Sequence, residues 1–105
     1  MKFTASFSSG KLVLYLVGEL DHHAAKEVMD HIGREIDLNL PRDCVIDMDK
    51  LSFMDSSGIA VVMGTYKRMN HIGGRCWVIN AGRQPMKVLT TSGIYRLVNI
   101  KESVG

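Results

Sequence analysis

Leu51-Ser52-Phe53-Met54-Asp55-Ser56-Ser57-Gly58 joins a short apolar run, Cys44-Val45-Ile46-Asp47-Met48, to a stretch from Ile59 to Met69 with apolar residues at helical spacing. The segment therefore places one carboxylate and two hydroxyls where a strand hands over to a helix. The first turn of a helix has backbone N–H groups without internal partners, and the aligned peptide dipoles make that end partly positive. Asp55 or Ser56 is accordingly expected to cap the helix, a role worth about 1 kcal/mol. The same end suits an anion, including a phosphate carried by a serine. An Asp-Ser-Ser triplet alone does not choose between the two roles.

Upstream, Phe3 to Ser8 alternates apolar and polar residues, Ser8-Ser9-Gly10 supplies a turn, and Lys11 to Val17 is almost wholly apolar. This pattern predicts a hairpin feeding a strand buried on both faces. Ala25, Val28, Met29, Ile32 and Ile36 recur at helical spacing, which predicts an amphipathic helix from His22 to Asp37 with Asp21 as its N-cap. Pro41 stops any continuation, and Cys44 to Met48 is the next buried strand.

Downstream, Ile59, Val62, Met63, Tyr66 and Met69 form the apolar stripe of the second helix, closed by Gly73-Gly74. Cys76 to Asn80 is a further strand. Pro85 opens a short helix that Gly93 ends, and Leu97 to Ile100 is a last short strand. Alternating strands and helices imply an α/β fold with a mostly parallel sheet, right-handed crossovers and helices packed against it. With no linker, internal repeat or low-complexity segment, residues 1–105 are expected to form one domain. The seven methionines fall mostly on the apolar stripes, where they fill gaps in a core.

Bulk properties exclude several classes. A formal charge of +2 with no Lys/Arg run gives no basic stripe for nucleic acid. No segment approaches the ~20 apolar residues needed to span a bilayer, and the N-terminus lacks a signal-peptide layout. Cys44 and Cys76 each lie inside an apolar run, so two buried thiols in a reducing, cytoplasmic compartment are expected, with a bridge between them left open.

The chemical candidates are thin. A nucleophile elbow needs glycines two before and two after its serine; Ser56 has Met54 before it and Ser57 has Asp55. His22 and His23 are adjacent, so on a helix they point about 100° apart, a poor arrangement for one ion. His31 and His71 have no second histidine or cysteine one turn away, and the cysteines lack C-x-x-C spacing, so no metal is expected. Gly73-Gly74 belongs to neither a P-loop nor a dinucleotide fingerprint.

Gly18-Glu19-Leu20-Asp21-His22-His23-Ala24-Ala25, then Leu51 to Gly58, then Gly64-Thr65-Tyr66-Lys67 and Ile72-Gly73-Gly74, resemble the anti-sigma-factor antagonists in order and spacing. Those proteins are single STAS domains, and the resemblance runs from about Leu12 to about Ile100. The Gly-Glu-Leu-Asp-His-His run points to the sporulation branch. The resemblance implies a bacterial, cytoplasmic regulator without catalysis or cofactor, built on a mostly parallel four- to five-stranded sheet with an N-terminal hairpin strand and three or so helices. It implies that the unmodified form binds an anti-sigma factor that is also a serine kinase, and so frees a sigma factor. Phosphorylation at Ser56, the first serine after the aspartate, switches binding off, with Ser57 as the alternative site, and a phosphoserine phosphatase resets the system. Asp21, His22, His23, Asp55, Ser57 and Gly58 are the implied partner-contacting residues. If the sheet is parallel here, Asp21 and Asp55 share one rim, where open α/β sheets place functional loops.

The alternatives within the fold are a general-stress antagonist or other STAS signalling module with a different kinase, and a nucleotide-binding STAS protein. Two departures stand out. Ala60 occupies a place where family members commonly carry glycine, leaving less room at the start of the second helix. The sequence ends at Gly105, where family members continue into another helix, which could leave an apolar patch; the expectation is a monomer, with a dimer covering that patch as the alternative.

Overall fold

Leu12, Leu14 and Leu16 occupy alternate positions on one strand and all turn inward, and the helices pack over the face they form. The computed structural model describes residues 1–102. The chain runs β1 (Lys2–Ser8), β2 (Lys11–Leu20), α1 (His22–Asn39), β3 (Asp43–Met54), α2 (Ser56–His71), β4 (Arg75–Ile79), α3 (Arg83–Ser92), a 3-10 turn (Ile94–Arg96) and β5 (Asn99–Lys101). The sheet order is β1-β2-β3-β4-β5; β1 is antiparallel to β2 and the remaining pairs are parallel. This is the five-stranded, mostly parallel sheet with an N-terminal hairpin and three helices that the sequence predicts.

Local chemistry explains the joints. Ser9 and Gly10 both have positive φ (51° and 79°), the geometry of a two-residue hairpin loop, and Ser8 pairs with Lys11 across it. The first helix ends two residues later than predicted, with Leu40 in the left-handed region just before Pro41. At the end of α2, Gly73 takes φ 77° and Gly74 N–H donates to the Met69 carbonyl at 2.8 Å. Its role is that of a helix terminator.

The buried stripe of α2 is rotated from the predicted one. Val61, Val62, Thr65 and Met69 are buried, whereas Ile59, Met63 and Tyr66 are only partly covered. Thr65 fits the core because its hydroxyl donates to the Val61 carbonyl at 2.8 Å. Cys44 and Cys76 are register partners on the core face and are both free thiols. Burial raises both above the ordinary thiol value, Cys76 to about 12, so neither is a nucleophile at neutral pH.

Two expectations need correction. The predicted strand Cys44 to Met48 extends to Met54, so the first half of the hand-over segment is strand. Its residues on the helix-covered core face run Cys44, Ile46, Met48, then Leu51 and Met54, so the spacing widens from two to three. The cause is two register shifts against β2, between Tyr15 and Val17 and between Gly18 and Glu19. Each β-bulge adds one residue and breaks the alternation that marks a strand.

The second correction concerns β2, which is covered on one face only. Tyr15 and Val17 are 40% and 37% exposed on the opposite face, because α1, α2 and α3 all contribute to the same core cluster. On that open face, at the N-terminal ends of the central strands, Asp43 is buried yet fully engaged. Its Oδ1 accepts from Trp77 Nε1 (3.0 Å) and Arg75 Nε (3.1 Å), and its Oδ2 accepts from Arg42 Nε (3.0 Å). Burial works to raise its pKa, but the Trp77 hydrogen bond and the two guanidinium groups outweigh it and hold the carboxyl below 3.8.

A lowered carboxyl pKa contributes stability above the unfolded value and loses it as pH falls through the folded one. Asp43→Asn should therefore be less stable than wild type at pH 7, with the gap closing as pH drops below about 4. Urea unfolding followed by fluorescence of Trp77, the only tryptophan, measures this directly. A gap that stays constant from pH 7 to the acid limit would assign the loss to shape rather than charge.

Candidate functional site

The two longest strands end level. Leu20 of β2 and Met54 of β3 are register partners, and Asp55 N–H donates to the Leu20 carbonyl at 3.3 Å. Each strand is followed at once by an aspartate and then a helix. Asp21 and Asp55 share the same extended backbone (φ −102°, ψ −175° and φ −108°, ψ −167°). Adjacent strands lie about 4.8 Å apart, so the two caps stand side by side on one rim.

Both aspartates cap as the sequence predicts. Asp21 Oδ1 accepts from His23 N–H (3.0 Å) and Ala24 N–H (3.1 Å). Asp55 Oδ1 accepts from Ser57 N–H (2.8 Å). The Ala24 N–H bond is the main reason that the Asp21 carboxyl sits below its ordinary 3.8. Desolvation, second in size, opposes it, and the His23 N–H bond and the two neighbouring imidazoles add to the lowering. This rim keeps an ionised carboxylate throughout the neutral range.

Ser56 is the first residue of α2 and is exposed, whereas Ser57 is half-buried behind the cap. His22 and His23 are both exposed beside Asp21. Their rings do not diverge: the centroids lie 4.0 Å apart with planes at 37°, because both side chains lean together at the open first turn of α1. Gly58 is buried. A Cβ there would stand 3.0 Å from Met54 Sδ and 3.3 Å from Leu20 Cδ2, so glycine lets α2 settle onto the paired strand ends. Ala60 points to solvent and takes no room from the core.

The site has a further wall that the sequence reading missed. A groove of about 550 Å³ between α2 and α3 is lined by Ser56, Ile59, Gln84, Lys87, Val88 and Thr91, among others. Gln84 lies 30 residues beyond Met54, and nothing in its neighbourhood marks it as part of this rim. Among the described residues, no group of three or more His, Cys, Asp or Glu side chains could hold a metal ion. No helix among them is long and apolar enough to cross a membrane.

Because the Asp55 cap is a hydrogen bond to Ser57 N–H, Asp55→Ala should cost about 1 kcal/mol of folding stability and Asp55→Asn only a few tenths. Denaturant unfolding of the two variants checks this. Equal losses would show that negative charge at the end of α2, not the cap bond, supplies the stabilisation.

Comparison with known proteins places this geometry. The STAS domain family matches residues 2–105. A Paenibacillus polymyxa protein named anti-sigma F factor antagonist is 33% identical over 94 residues, covering 90% of this chain and 80% of that protein. The structure of the anti-sigma factor antagonist SpoIIAA in its unphosphorylated form is similar at 29% identity and a TM-score of 0.82, over 94% of this chain and 87% of that one. The Bacillus cell fate determinant SpoIIAA in its phosphorylated form is similar at 29% identity and a TM-score of 0.73, over 94% and 90%. The chain belongs to the STAS domain family, in the group of the anti-sigma factor antagonists.

Proposed function

We propose that this protein binds an anti-sigma factor that is also a serine kinase, and that phosphorylation of Ser56 by that kinase ends the binding. The unmodified form takes the anti-sigma factor out of its complex and frees a sigma factor; a phosphoserine phosphatase restores it. One observation carries the reading. An exposed serine opens α2 directly after a capping aspartate, on the rim shared with Asp21, in a chain similar to SpoIIAA, a protein known in unphosphorylated and phosphorylated forms. The exposure difference favours Ser56 over Ser57 as the acceptor. Asp21, His22, His23 and Asp55 then form the partner-facing rim, with Ser57 behind it.

The physics of such a switch is local. A phosphoserine adds about −1.5 to −2 charge at neutral pH beside Asp55. In the free protein the positive end of α2 accommodates it with a gain of roughly 0.3–1 kcal/mol. Inside a close interface the same group meets desolvation and like-charge repulsion. Weakening the complex 10²–10³-fold needs only about 3–4 kcal/mol, so no refolding is required.

With the serine-kinase anti-sigma factor from the same genome and Mg-ATP, the protein should gain one phosphate, at Ser56, as read by peptide mass spectrometry. Ser56→Ala should bind the ADP-loaded kinase as wild type does but resist release by ATP. Ser56→Asp, with one charge on a shorter group, should bind more weakly than both by titration calorimetry. A phosphate mapped to Ser57, Ser8 or Ser9 would refute the assignment. Wild-type affinity in Ser56→Asp would show that charge at this helix end does not drive release.

A further inference from the structure

The last pair between β3 and β4 is Asp47 with Ile79, so β3 runs on to Met54 without a strand on that side. A strand end left so would expose backbone groups that need partners. Gln84, the chain's only glutamine, supplies them. Its Oε1 accepts from Met54 N–H at 2.9 Å, and its Nε2 donates to the Met54 carbonyl at 2.9 Å. One carboxamide thus does what a neighbouring strand would do, pairing both backbone groups of a single residue. An amide side chain offers an acceptor and a donor side by side in one plane for this. On the opposite side, Asp55 N–H is held by the Leu20 carbonyl. The backbone leading into Ser56 is therefore clamped between β2 and the first turn of α3, and Gln84 and Ser56 line the same groove.

We infer that Gln84 is a positioning residue for phosphoryl transfer to Ser56. The inference rests on the reading of Ser56 as the phosphoacceptor. Phosphoryl transfer depends almost wholly on placing the attacking oxygen in line with the phosphate, and a displacement of about 1 Å can cost roughly 10²-fold in rate. Gln84 fixes the peptide two residues before that oxygen. Loss of the clamp frees the segment without altering the carboxylates of the rim, so turnover suffers more than binding.

The test compares wild type with Gln84→Leu, which keeps the bulk and removes both hydrogen bonds, and Gln84→Glu, which keeps the shape and loses the donor. Thermal unfolding selects variants that remain folded, and Gln84→Glu carries the test if the leucine variant does not fold. Steady-state phosphorylation uses the same kinase and Mg-ATP, alongside amide hydrogen exchange. The expected result is a fall in kcat of tenfold or more with KM within threefold, and faster exchange confined to Met54, Asp55 and Ser56. A kcat within twofold of wild type in a folded variant overturns the positioning role, even if exchange quickens. A rise in KM with kcat unchanged overturns it too, since that makes Gln84 part of the docking surface. Failure of the wild-type protein itself to be modified at Ser56 overturns the phosphoacceptor reading instead, and the exchange data still show whether the clamp exists.

Discussion

The parallel pairing of β2 with β3 along their whole lengths is the constraint on which the rim depends. The strands have 10 and 12 residues, yet Lys11 pairs with Asp43 at one end and Leu20 with Met54 at the other. The two register shifts absorb the difference. Without them Asp55 would stand two residues, about 6.6 Å, beyond Asp21. The bulges thus bring two helix caps level, and the partner-facing rim proposed above exists only because they do. Bulges are often found where a strand must re-aim side chains at a site. Here they set the ends of strands instead.

The molecule keeps its structural and its proposed regulatory chemistry at opposite ends of the sheet. At the N-terminal ends of β3 and β4, the carboxylate of Asp43 is buried and every oxygen is engaged by Arg42, Arg75 or Trp77. At the C-terminal ends, Asp21 and Asp55 spend one oxygen each on helix caps and leave the other toward solvent. A carboxylate surrounded by cations inside the fold holds strands in place. A carboxylate on a capped, open rim can also meet a second molecule. The same residue type serves both ends because burial and partners, not identity, decide its role.

Much of this was legible in the sequence. The hairpin turn, both aspartate caps, the glycine that ends α2 and the two buried thiols follow from local chemistry, which acts within a few residues. The long resemblance through Asp21 and Ser56 added the family. Three features were not legible, for one shared reason. The extension of β3 to Met54 was hidden because bulges break the period of two on which strand recognition rests. The exposure of Tyr15 and Val17 was hidden because an apolar run cannot reveal how many faces will be covered. Gln84 was hidden because its only relevant partner lies 30 residues away. Each depends on pairing between distant segments, which leaves no short-range signal.

The arrangement also bears on how a modification at Ser56 would be felt. Asp55 already takes the Ser57 N–H, so a phosphate on Ser56 would arrive at a helix end whose cap position is filled. The helix end carries about half a positive charge, less than the doubled negative charge it would then face. Lys87 lines the same groove as Ser56 and can offset part of the excess, while Gly58 seats α2 closely on Met54 and Leu20. Gln84 and Leu20 hold the preceding backbone from both sides. In the proposed switch a pre-filled cap would leave the remaining charge to whatever is docked on the rim, and a single phosphate would then separate two proteins while leaving each one folded.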